Sequence, residues 1–231
     1  GVRLDESGDA SLDFNEENKT VLVIGATGTI GFAVVQHLLG STKYKVKAMT
    51  RDPLQKRARE LEKMGATVVQ GDIMNFHGLV ELMEGCFGVF SIQQYLPASP
   101  HLEYAQGQEV IRAAVQADVD FFVYCSMYGA SMSLPFVPST ISTKTAIETF
   151  LRAEFRHSGY AIVRPSFLME NFVLAAYDAP SWWASLRRHL PSIQLIGAED
   201  VGAVVTSIFK NPAAYTEQAI DLASEHAGYA E

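Results

Sequence analysis

Residues 21–31 read Val-Leu-Val-Ile-Gly-Ala-Thr-Gly-Thr-Ile-Gly, an apolar run that leads into three glycines. The apolar residues 21–24 predict a buried strand, and the apolar stretch 32–39 after the glycines has the length of a helix. A strand, a tight glycine turn and a helix are the context of a dinucleotide-binding fingerprint. We therefore expect cofactor contacts from Gly25, Ala26, Thr27, Gly28, Thr29, Ile30 and Gly31.

The three glycines each have a distinct expected task. Gly25 ends the strand in a tight turn, Gly28 leaves room for backbone to approach a pyrophosphate, and Gly31 lets the helix pack close to the sheet. The N-terminus of the helix then offers unpaired N–H groups and the positive end of its dipole to phosphates. The alternative is a glycine turn that binds no ligand, and the flanking strand and helix favour the nucleotide.

Composition bounds the function classes. The chain has 231 residues, 48% of them hydrophobic, which suits one domain with a substantial core. Its net charge of −8 argues against direct binding of nucleic acid or acidic membranes but leaves a protein partner open. No apolar run approaches the roughly 18–20 residues that a membrane span needs.

Cysteine and histidine usage predicts neither a disulfide framework nor a metal site. Cys86 and Cys125 both lie in apolar, strand-like contexts, so we expect buried free thiols. A reducing compartment fits this pattern. We expect a cytoplasmic location and leave a nuclear one open.

Strand-like and helical segments alternate along the chain, which predicts a doubly wound, mostly parallel α/β sheet of the Rossmann type. We expect an acidic flexible tail at 1–18, a dinucleotide-binding domain at 19–165, and a lid or small C-terminal lobe at 166–231 that completes the sheet. The predicted strands cover residues 21–24, 45–49, 67–70, 88–92, 121–125, 161–164, 194–196 and 219–222. The predicted helices cover residues 32–39, 53–64, 76–83, 102–117, 143–157 and 200–209, the second of them capped by Asp52.

The residue after the second strand indicates the type of nucleotide. NAD-binding domains place an acidic residue about 20 residues past the glycines, where it accepts from the ribose 2′-OH. Here the first residue in reach is Arg51, whose guanidinium suits a 2′-phosphate. The sequence therefore favours NADP over NAD. Asp52 keeps NAD open as a ribose ligand, although a helix N-cap is the favoured role for it.

Polar residues follow two further strands. Asp72 comes after the third strand, where it either lies near the adenine amino group or caps the next helix. Gln93, Gln94 and Tyr95 follow the fourth strand, at the edge where parallel sheets bind ligands. They face the nicotinamide half of the cofactor or form a polar loop.

Several short motifs follow one another along residues 20–224 in a definite order and spacing. In chain order they are VLVIGATGTIG (21–31), KVKAMTRDP (45–53), GATVVQGD (65–72), VYCS (123–126), Lys144 with Glu148, VRP (163–165), ENF (170–172), EDVG (199–202) and FKNP (209–212) with Tyr215. In this order and spacing the chain resembles the NmrA-like group of atypical short-chain dehydrogenase/reductases.

The resemblance implies an NADP(H)-binding protein of a group that includes redox sensors with a protein partner. The group lies near isoflavone-reductase-like and quinone-reductase-like enzymes. Its members usually continue well past the last strand, so we expect the C-terminal lobe to be truncated. Phe167 and Leu168 complete the expected cofactor contacts. Aromatic residues in 167–172 and 182–183 either wall an aromatic substrate site or belong to the core.

Catalysis is the open question. Short-chain reductases use a Tyr-x-x-x-Lys pair, and Lys144 lies in the expected helix, but Thr140 occupies the tyrosine position. A threonine hydroxyl does not replace a phenol as proton donor. Lys144 then contacts the ribose and nicotinamide, donates a proton itself, or is a solvated lysine paired with Glu148 at i+4. Ser126 occupies the position of a substrate-orienting serine, with a structural role favoured. Tyr95 and Tyr128 are candidate substitute acids.

Two functions follow from this pattern. The first is a regulator that responds to NADP(H) and changes its contact with a protein partner. The second is an NADPH-dependent reductase of a quinone, enone or carbonyl compound with Lys144 as its catalytic residue. A cofactor-stabilised scaffold without switching is a weaker third interpretation.

Overall fold

Seven strands form one sheet in which every neighbouring pair runs parallel. The computed structural model describes residues 16–94, 99–130, 139–156, 158–172 and 192–228. The strands of this sheet are β1 Thr20–Ile24, β2 Lys45–Thr50, β3 Thr67–Gln70, β4 Gly88–Ser91, β5 Phe121–Cys125, β6 Gly159–Pro165 and β9 Gln218–Leu222. Across the sheet the strand order is β3-β2-β1-β4-β5-β6-β9.

Helices cover both faces of this sheet, which confirms the predicted doubly wound α/β fold. The helices are α1 Thr29–Ser41, α2 Lys56–Lys63, α3 Phe76–Met83, α4 Pro100–Gln116, α5 Ser139–Glu154, α6 Ala198–Lys210 and the short α7 Pro212–Tyr215. Side chains of α1, α2 and α6 join one apolar core, and those of α3, α4 and α5 join the other.

A second, small sheet lies at the C-terminal side of the fold. It contains β7 Phe167–Leu168, β8 Ser192–Ile196 and β10 Glu225–Gly228, in the order β10-β8-β7. Strand β8 pairs parallel with β7 and antiparallel with β10. Residues beyond 166 therefore build this small sheet and also supply β9 to the main one.

The start of α2 differs from the prediction. The Oδ1 atom of Asp52 accepts a hydrogen bond from the Leu54 backbone N–H at 2.9 Å, and the helix begins only at Lys56. Asp52 therefore closes a local turn instead of capping the helix, because a short carboxylate readily bonds the backbone two residues on. The prediction of Asp52 as the helix N-cap was wrong, since Gln55 occupies that position.

The predicted acidic tail falls mostly outside the described residues, which begin at Glu16. Its last three residues, Glu16–Asn18, form a short 3-10 helix instead of a tail. Lys43 holds this turn, since its backbone N–H donates to Glu16 Oε2 at 3.0 Å and its Nζ donates to Glu17 Oε1 at 2.7 Å.

Of the predicted lid, residues 173–191 lie outside the described ranges, and with them Trp182 and Trp183. In the part of the chain that the structure describes, no helix combines the length and apolar character that a membrane span requires.

Candidate functional site

The strand order reverses between β1 and β4, because β1 leads to β2 on one side while β4 lies on the other. Such a switch point opens a crevice at the carboxyl ends of the strands. Gly25 follows β1 there with φ +80°. A Cβ on Gly25 would lie 2.7 Å from the Ile92 Cγ2 atom and 3.1 Å from the Ile92 carbonyl oxygen. Both the backbone angle and the space therefore require glycine.

Gly28 and Gly31 close the turn onto the first turn of α1. The Gly28 N–H donates to the Gly25 carbonyl oxygen at 3.0 Å. A Cβ on Gly31 would lie 2.1 Å from that same oxygen, so any larger residue would force the helix away from the turn. The close approach expected of Gly31 is thus made to the turn residue Gly25.

The N-terminus of α1 carries no side-chain cap. Gly28 is the N-cap residue, and the first turn of α1 holds no acidic side chain. Among the described residues no side chain caps the first N–H groups of α1, so these groups and the positive end of the helix dipole can bind an anion at the crevice.

Two arginines lie near this turn. Arg51 is exposed directly after β2, and its carbonyl oxygen accepts from the Gln70 side-chain amide at 3.2 Å. Arg57, from the first turn of α2, donates from Nη1 to the Thr27 carbonyl oxygen at 3.0 Å. Its guanidinium carbon lies 5.1 Å from the centroid of the Phe32 ring. The sequence does not single out Arg57, because one short helix contains four cations that spacing does not distinguish: Lys56, Arg57, Arg59 and Lys63.

Asp72 shapes the turn that follows β3. Its Oδ1 atom accepts from the Met74 N–H at 2.9 Å, while Asn75 caps α3 by accepting from the Gly78 N–H at 3.1 Å. The interpretation of Asp72 as the cap of the next helix was therefore wrong. Its contact with adenine stays a prediction.

Lys144 is buried beneath the carboxyl end of the sheet, with its side chain 8% exposed. Its Nζ donates to the Gln93 carbonyl oxygen at 3.0 Å and lies 2.9 Å from Glu103 Oε1. It also lies 5.6 Å from the centroid of the Tyr124 ring. The alternative of a solvated lysine paired with Glu148 was wrong, because Lys144 points to the sheet and reaches α4 and the end of β4.

Glu148 forms a different buried pair with Arg164 of β6. The Arg164 Nε and Nη2 atoms donate to the two Glu148 oxygens at 2.9 and 2.6 Å. These hydrogen bonds are the main reason that the pKa of the Arg164 guanidinium is raised above its ordinary value. Two ion pairs, Lys144–Glu103 and Arg164–Glu148, therefore anchor α5 to its surroundings.

Several polar atoms at this edge are buried and, among the described residues, have no hydrogen-bond partner. They are Gln93 Oε1, the Tyr124 hydroxyl, Ser126 Oγ and Ser166 Oγ. Leaving a buried polar atom unpaired costs free energy, so such atoms in a crevice are candidate ligand contacts. Burial raises the pKa of Tyr124 well above its ordinary value, which keeps its phenol protonated.

The other residues predicted at this edge differ in how far they are buried. Gln93 is buried and donates from Nε2 to the Ser91 hydroxyl at 2.6 Å, whereas Gln94 is exposed. Tyr95 lies outside the described residues, as does the side chain of Thr140. Tyr128 is half-buried, and its N–H donates to the Pro165 carbonyl oxygen at 2.9 Å.

Phe167 and Leu168 are half-buried in β7, beyond the carboxyl end of β6. The Phe167 ring meets the Phe172 ring edge-on at 5.6 Å between centroids. Glu170, between them, accepts the Ala198 N–H through Oε1 at 2.8 Å. This bond ties the segment after β6 to the N-terminus of α6.

Both cysteines are buried free thiols, as predicted. Burial raises the pKa of Cys125 to about 12, so its thiol stays protonated at neutral pH. Within the described ranges, no three His, Cys, Asp or Glu side chains are grouped as metal ligands.

Proteins of similar sequence contain an NmrA-like domain, and several of them are oxidoreductases by name. The chain is 28% identical to ptmS of Penicillium ochrochloron over 93% of this chain and 71% of that protein. It is 26% identical to an NmrA-like protein of Dictyostelium discoideum over 90% of this chain and 73% of that protein. The chain thus spans about seven tenths of the length of these two relatives.

Solved structures of similar fold belong to reductases and to a regulator. The Citrobacter sp. triphenylmethane reductase complexed with NADP(H) has a TM-score of 0.75 at 17% identity, covering 91% of this chain and 72% of that one. NmrA, a negative transcriptional regulator in complex with NADP, has a TM-score of 0.74 at 21% identity, covering 92% and 68%. Escherichia coli NADPH-dependent quinone oxidoreductase QOR2 has a TM-score of 0.70 at 22% identity, covering 90% and 70%.

The family model agrees with the motifs and the fold. Residues 17–231 match the model of the NmrA-like family, which is nearly the whole chain. The glycine turn, the strand order and this match lead to one conclusion: the chain belongs to the NmrA-like family.

Proposed function

We propose that this protein binds NADP(H) in the crevice at the carboxyl ends of β1, β2 and β4. The observation that carries the proposal is the uncapped N-terminus of α1 behind a turn that only glycine fits at Gly25 and Gly31. Backbone N–H groups at a helix N-terminus are a site for phosphate, and the glycines let a pyrophosphate come close. The residues present therefore fit a dinucleotide.

The preference for NADP over NAD rests on charge. Arg51 is exposed at the end of β2, where the adenosine ribose lies in folds of this type. An arginine there recognises a 2′-phosphate through bidentate hydrogen bonds and offers nothing equivalent to a 2′-hydroxyl. Structures of similar fold were solved with NADP(H), and NmrA also with NAD.

The primary role that we propose is an NADP(H)-responsive regulator. The Lys144 ammonium is neutralised by Glu103 and hydrogen-bonded to the Gln93 carbonyl, which favours a fixed binding role over proton transfer. Thr140 stands where a short-chain reductase has its tyrosine. A regulator needs different affinities of its two conformations for the dinucleotide, since only a differential affinity shifts an equilibrium. We expect it to meet its protein partner in the cytoplasm or the nucleus.

A second candidate role is an NADPH-dependent reductase of a quinone, enone or carbonyl compound. The hydroxyl of Ser126 favours it, because that atom is buried at the end of β5, has no hydrogen-bond partner among the described residues and can bond a substrate oxygen. The similar proteins, which include an NmrA-like oxidoreductase and a quinone oxidoreductase, support the same role.

Calorimetric titration of the purified protein with NADPH, NADP⁺ and NAD⁺ tests the binding proposal. We expect Arg51→Ala to weaken NADP⁺ binding by roughly 10- to 100-fold, as loss of a charge-assisted hydrogen bond does, and to leave NAD⁺ binding nearly unchanged. The matched control is Lys45→Ala, an exposed cation at the opposite end of the same strand. Equal losses for NADP⁺ and NAD⁺ would contradict the assignment of Arg51.

NADPH oxidation in the presence of quinones, enones and ketones separates the two roles. The regulator role predicts no turnover, together with hydrogen-exchange patterns that differ between the NADP⁺ and NADPH complexes. Turnover that Lys144→Ala abolishes would establish the reductase role instead. Lys144→Arg, which keeps the charge beside Glu103, controls for simple loss of folding.

A further inference from the structure

Arg57 of α2 contacts the glycine turn Gly25–Gly28, the phosphate-binding turn of the proposed cofactor site. It lies in the first turn of α2 and is exposed, yet its Nη1 atom is held 3.0 Å from the Thr27 carbonyl oxygen. Its guanidinium carbon lies 5.1 Å from the Phe32 ring centroid, in the first turns of α1. An exposed arginine normally samples many rotamers, so one contact to the turn and one to α1 give Arg57 a defined position.

Arg57 and Arg51 approach the same region from two sides. Strands β1 and β2 are paired with Ile24 opposite Met49. Arg51 follows Met49 by two residues and Thr27 follows Ile24 by three, so the two turns are neighbours at one edge of the sheet. Arg51 belongs to the β2 turn, and Arg57 is bonded to the β1 turn.

Most N–H donors of the Arg57 guanidinium have no acceptor among the described residues. Its described contacts use one of the five N–H groups of an arginine, on Thr27. Among the described residues, no carboxylate lies within ion-pair distance of Arg57, whereas Arg112, Arg152 and Arg164 are all paired. In a chain with a net charge of −8, an unpaired arginine beside a phosphate-binding turn is a local positive potential for an anion.

We propose that Arg57 is a second specificity-determining residue, which contacts the adenosine 2′-phosphate together with Arg51. This inference rests on the proposed NADP(H) binding and adds a residue to it. The Thr27 carbonyl and the Phe32 ring pre-orient the guanidinium, so less side-chain entropy is lost when the phosphate binds. The bond to Thr27 leaves the other edge of the planar group for a bidentate contact.

Calorimetry of Arg57→Ala and Arg57→Lys tests the proposal with three probes: NADP⁺, NAD⁺ and adenosine 2′,5′-bisphosphate. The expected loss for Arg57→Ala is roughly 10- to 100-fold for NADP⁺ and for the bisphosphate, with NAD⁺ binding changed less than about two-fold. Arg57→Lys keeps the charge but not the fork, so part of the loss should remain. The matched control is Arg59→Ala, an exposed arginine of the same helix, which should leave all three affinities unchanged.

Three results would overturn the proposal. Equal losses for NADP⁺ and NAD⁺ would reduce Arg57 to a support of the turn through Thr27. Unchanged affinities would remove it from the site altogether. If the unmodified protein and the Arg59→Ala control, both folded by circular dichroism, bind neither dinucleotide nor bisphosphate, the proposed function fails and this inference fails with it. A loss confined to Arg57 variants cannot be mistaken for that last result.

Discussion

The face of the sheet covered by α1 and α6 is closed by apolar side chains and close backbone contacts, whereas the face covered by α4 and α5 contains buried charges. Among the described residues, the buried charged side chains are Glu103, Lys144, Glu148 and Arg164. All four lie on α4, α5 or the strand side facing them.

The contact between α1 and α6 depends on the absence of side-chain volume. A Cβ on Gly202 of α6 would lie 2.7 Å from the Ala33 carbonyl oxygen of α1 and 2.8 Å from His37 Cδ2. At the rim of this contact, His37 Nε2 lies 2.9 Å from Glu199 Oε2. The contact between α1 and α6 is thus matched by shape, and its charged contact lies at the border.

The α5 contacts depend on complementary charge instead. A buried ion pair adds little net stability when it is intact, because desolvation offsets the attraction, but an unpaired buried charge is very costly. The two faces should therefore fail in different ways: one when volume is added, the other when a single charge is removed. Substitutions on each face, compared by their effect on the free energy of unfolding, test that difference.

Removing one partner of a buried pair should have the largest effect. Glu148→Ala leaves the Arg164 guanidinium buried without its bidentate partner, and we expect a loss of about 3–5 kcal/mol in the free energy of unfolding. Arg152, whose side chain is 39% exposed and lies 3.7 Å from Glu148, supplies the control. Arg152→Ala should cost less than about 1 kcal/mol in urea unfolding. Similar losses for the two variants would remove the distinction between the faces.

Adding volume to the α1–α6 contact should have the next largest effect. Gly202→Val places a branched side chain against the Ala33 carbonyl, and overpacking of this kind costs about 1–3 kcal/mol. Ser207→Val adds a similar side chain to an exposed position of the same helix and should change stability little. A Gly202→Val protein as stable as the Ser207→Val protein would mean that the helices separate freely, contrary to matching by shape.

Removal of the Tyr44 hydroxyl, on the side of the sheet covered by α1 and α6, should lower the free energy of unfolding by a smaller, pH-dependent amount. The Tyr44 hydroxyl donates to the Phe209 carbonyl oxygen at 2.7 Å, and Tyr44→Phe should cost about 1–2 kcal/mol by leaving that carbonyl unpaired. Burial raises the pKa of Tyr44 to about 12.

The sign of its pH dependence follows from proton binding. Below about pH 10 the tyrosine is protonated in both the folded and the unfolded chain. Above it the unfolded chain loses the proton first, so the folded protein loses stability as pH rises from about 10 towards 12. Urea unfolding at several alkaline pH values should show the gap between wild type and Tyr44→Phe narrowing. A constant gap would contradict the raised pKa.

The smallest expected effect is a gain. A Cβ on Gly40, near the end of α1, meets nothing within 4 Å, and the residue is exposed. Gly40→Ala should raise the free energy of unfolding by about 0.5–1 kcal/mol through helix propensity alone. Thermal unfolding of Gly40→Ala, compared with wild type and with Gly202→Val in α6, measures this gain. A destabilised Gly40→Ala would show that α1 is crowded beyond its contact with α6.

Local pattern was sufficient for the strands of the main sheet, but it did not predict β7 and β10 of the small sheet. The bounds of β3 and α3 agree with the sequence prediction at both ends, because a short apolar run and a helical apolar stripe each end at clear turn residues. The glycine turn was also predictable, since its spacing encodes a backbone geometry. Residues fixed by their own neighbours are those that a single sequence reveals.

Partners distant in the chain could not be predicted in this way. Glu103 and Lys144 are brought together only when α4 packs against α5, and sequence spacing offered the nearer Glu148 as the partner of Lys144. The contact of Arg57 with Thr27 was unpredictable for the same reason, since it joins α2 to the glycine turn after β1, and these meet only in the folded sheet. Tertiary packing decided both pairs, and local spacing carries no record of it.

Because the Ala198 N–H donates to the Glu170 carboxylate, the position of α6 does not depend on the number of residues between them. This bond fixes where α6 begins from a point just after β7, whatever joins the two ends. The pairing of β8 with β7 holds the chain at Ser192–Ile196 in the same way. The number of residues that join Phe172 to Ser192 can therefore differ in other members of the family without displacing α6 from α1. We expect natural insertions and deletions to concentrate there, where a relative can change what it recognises and keep its cofactor crevice intact.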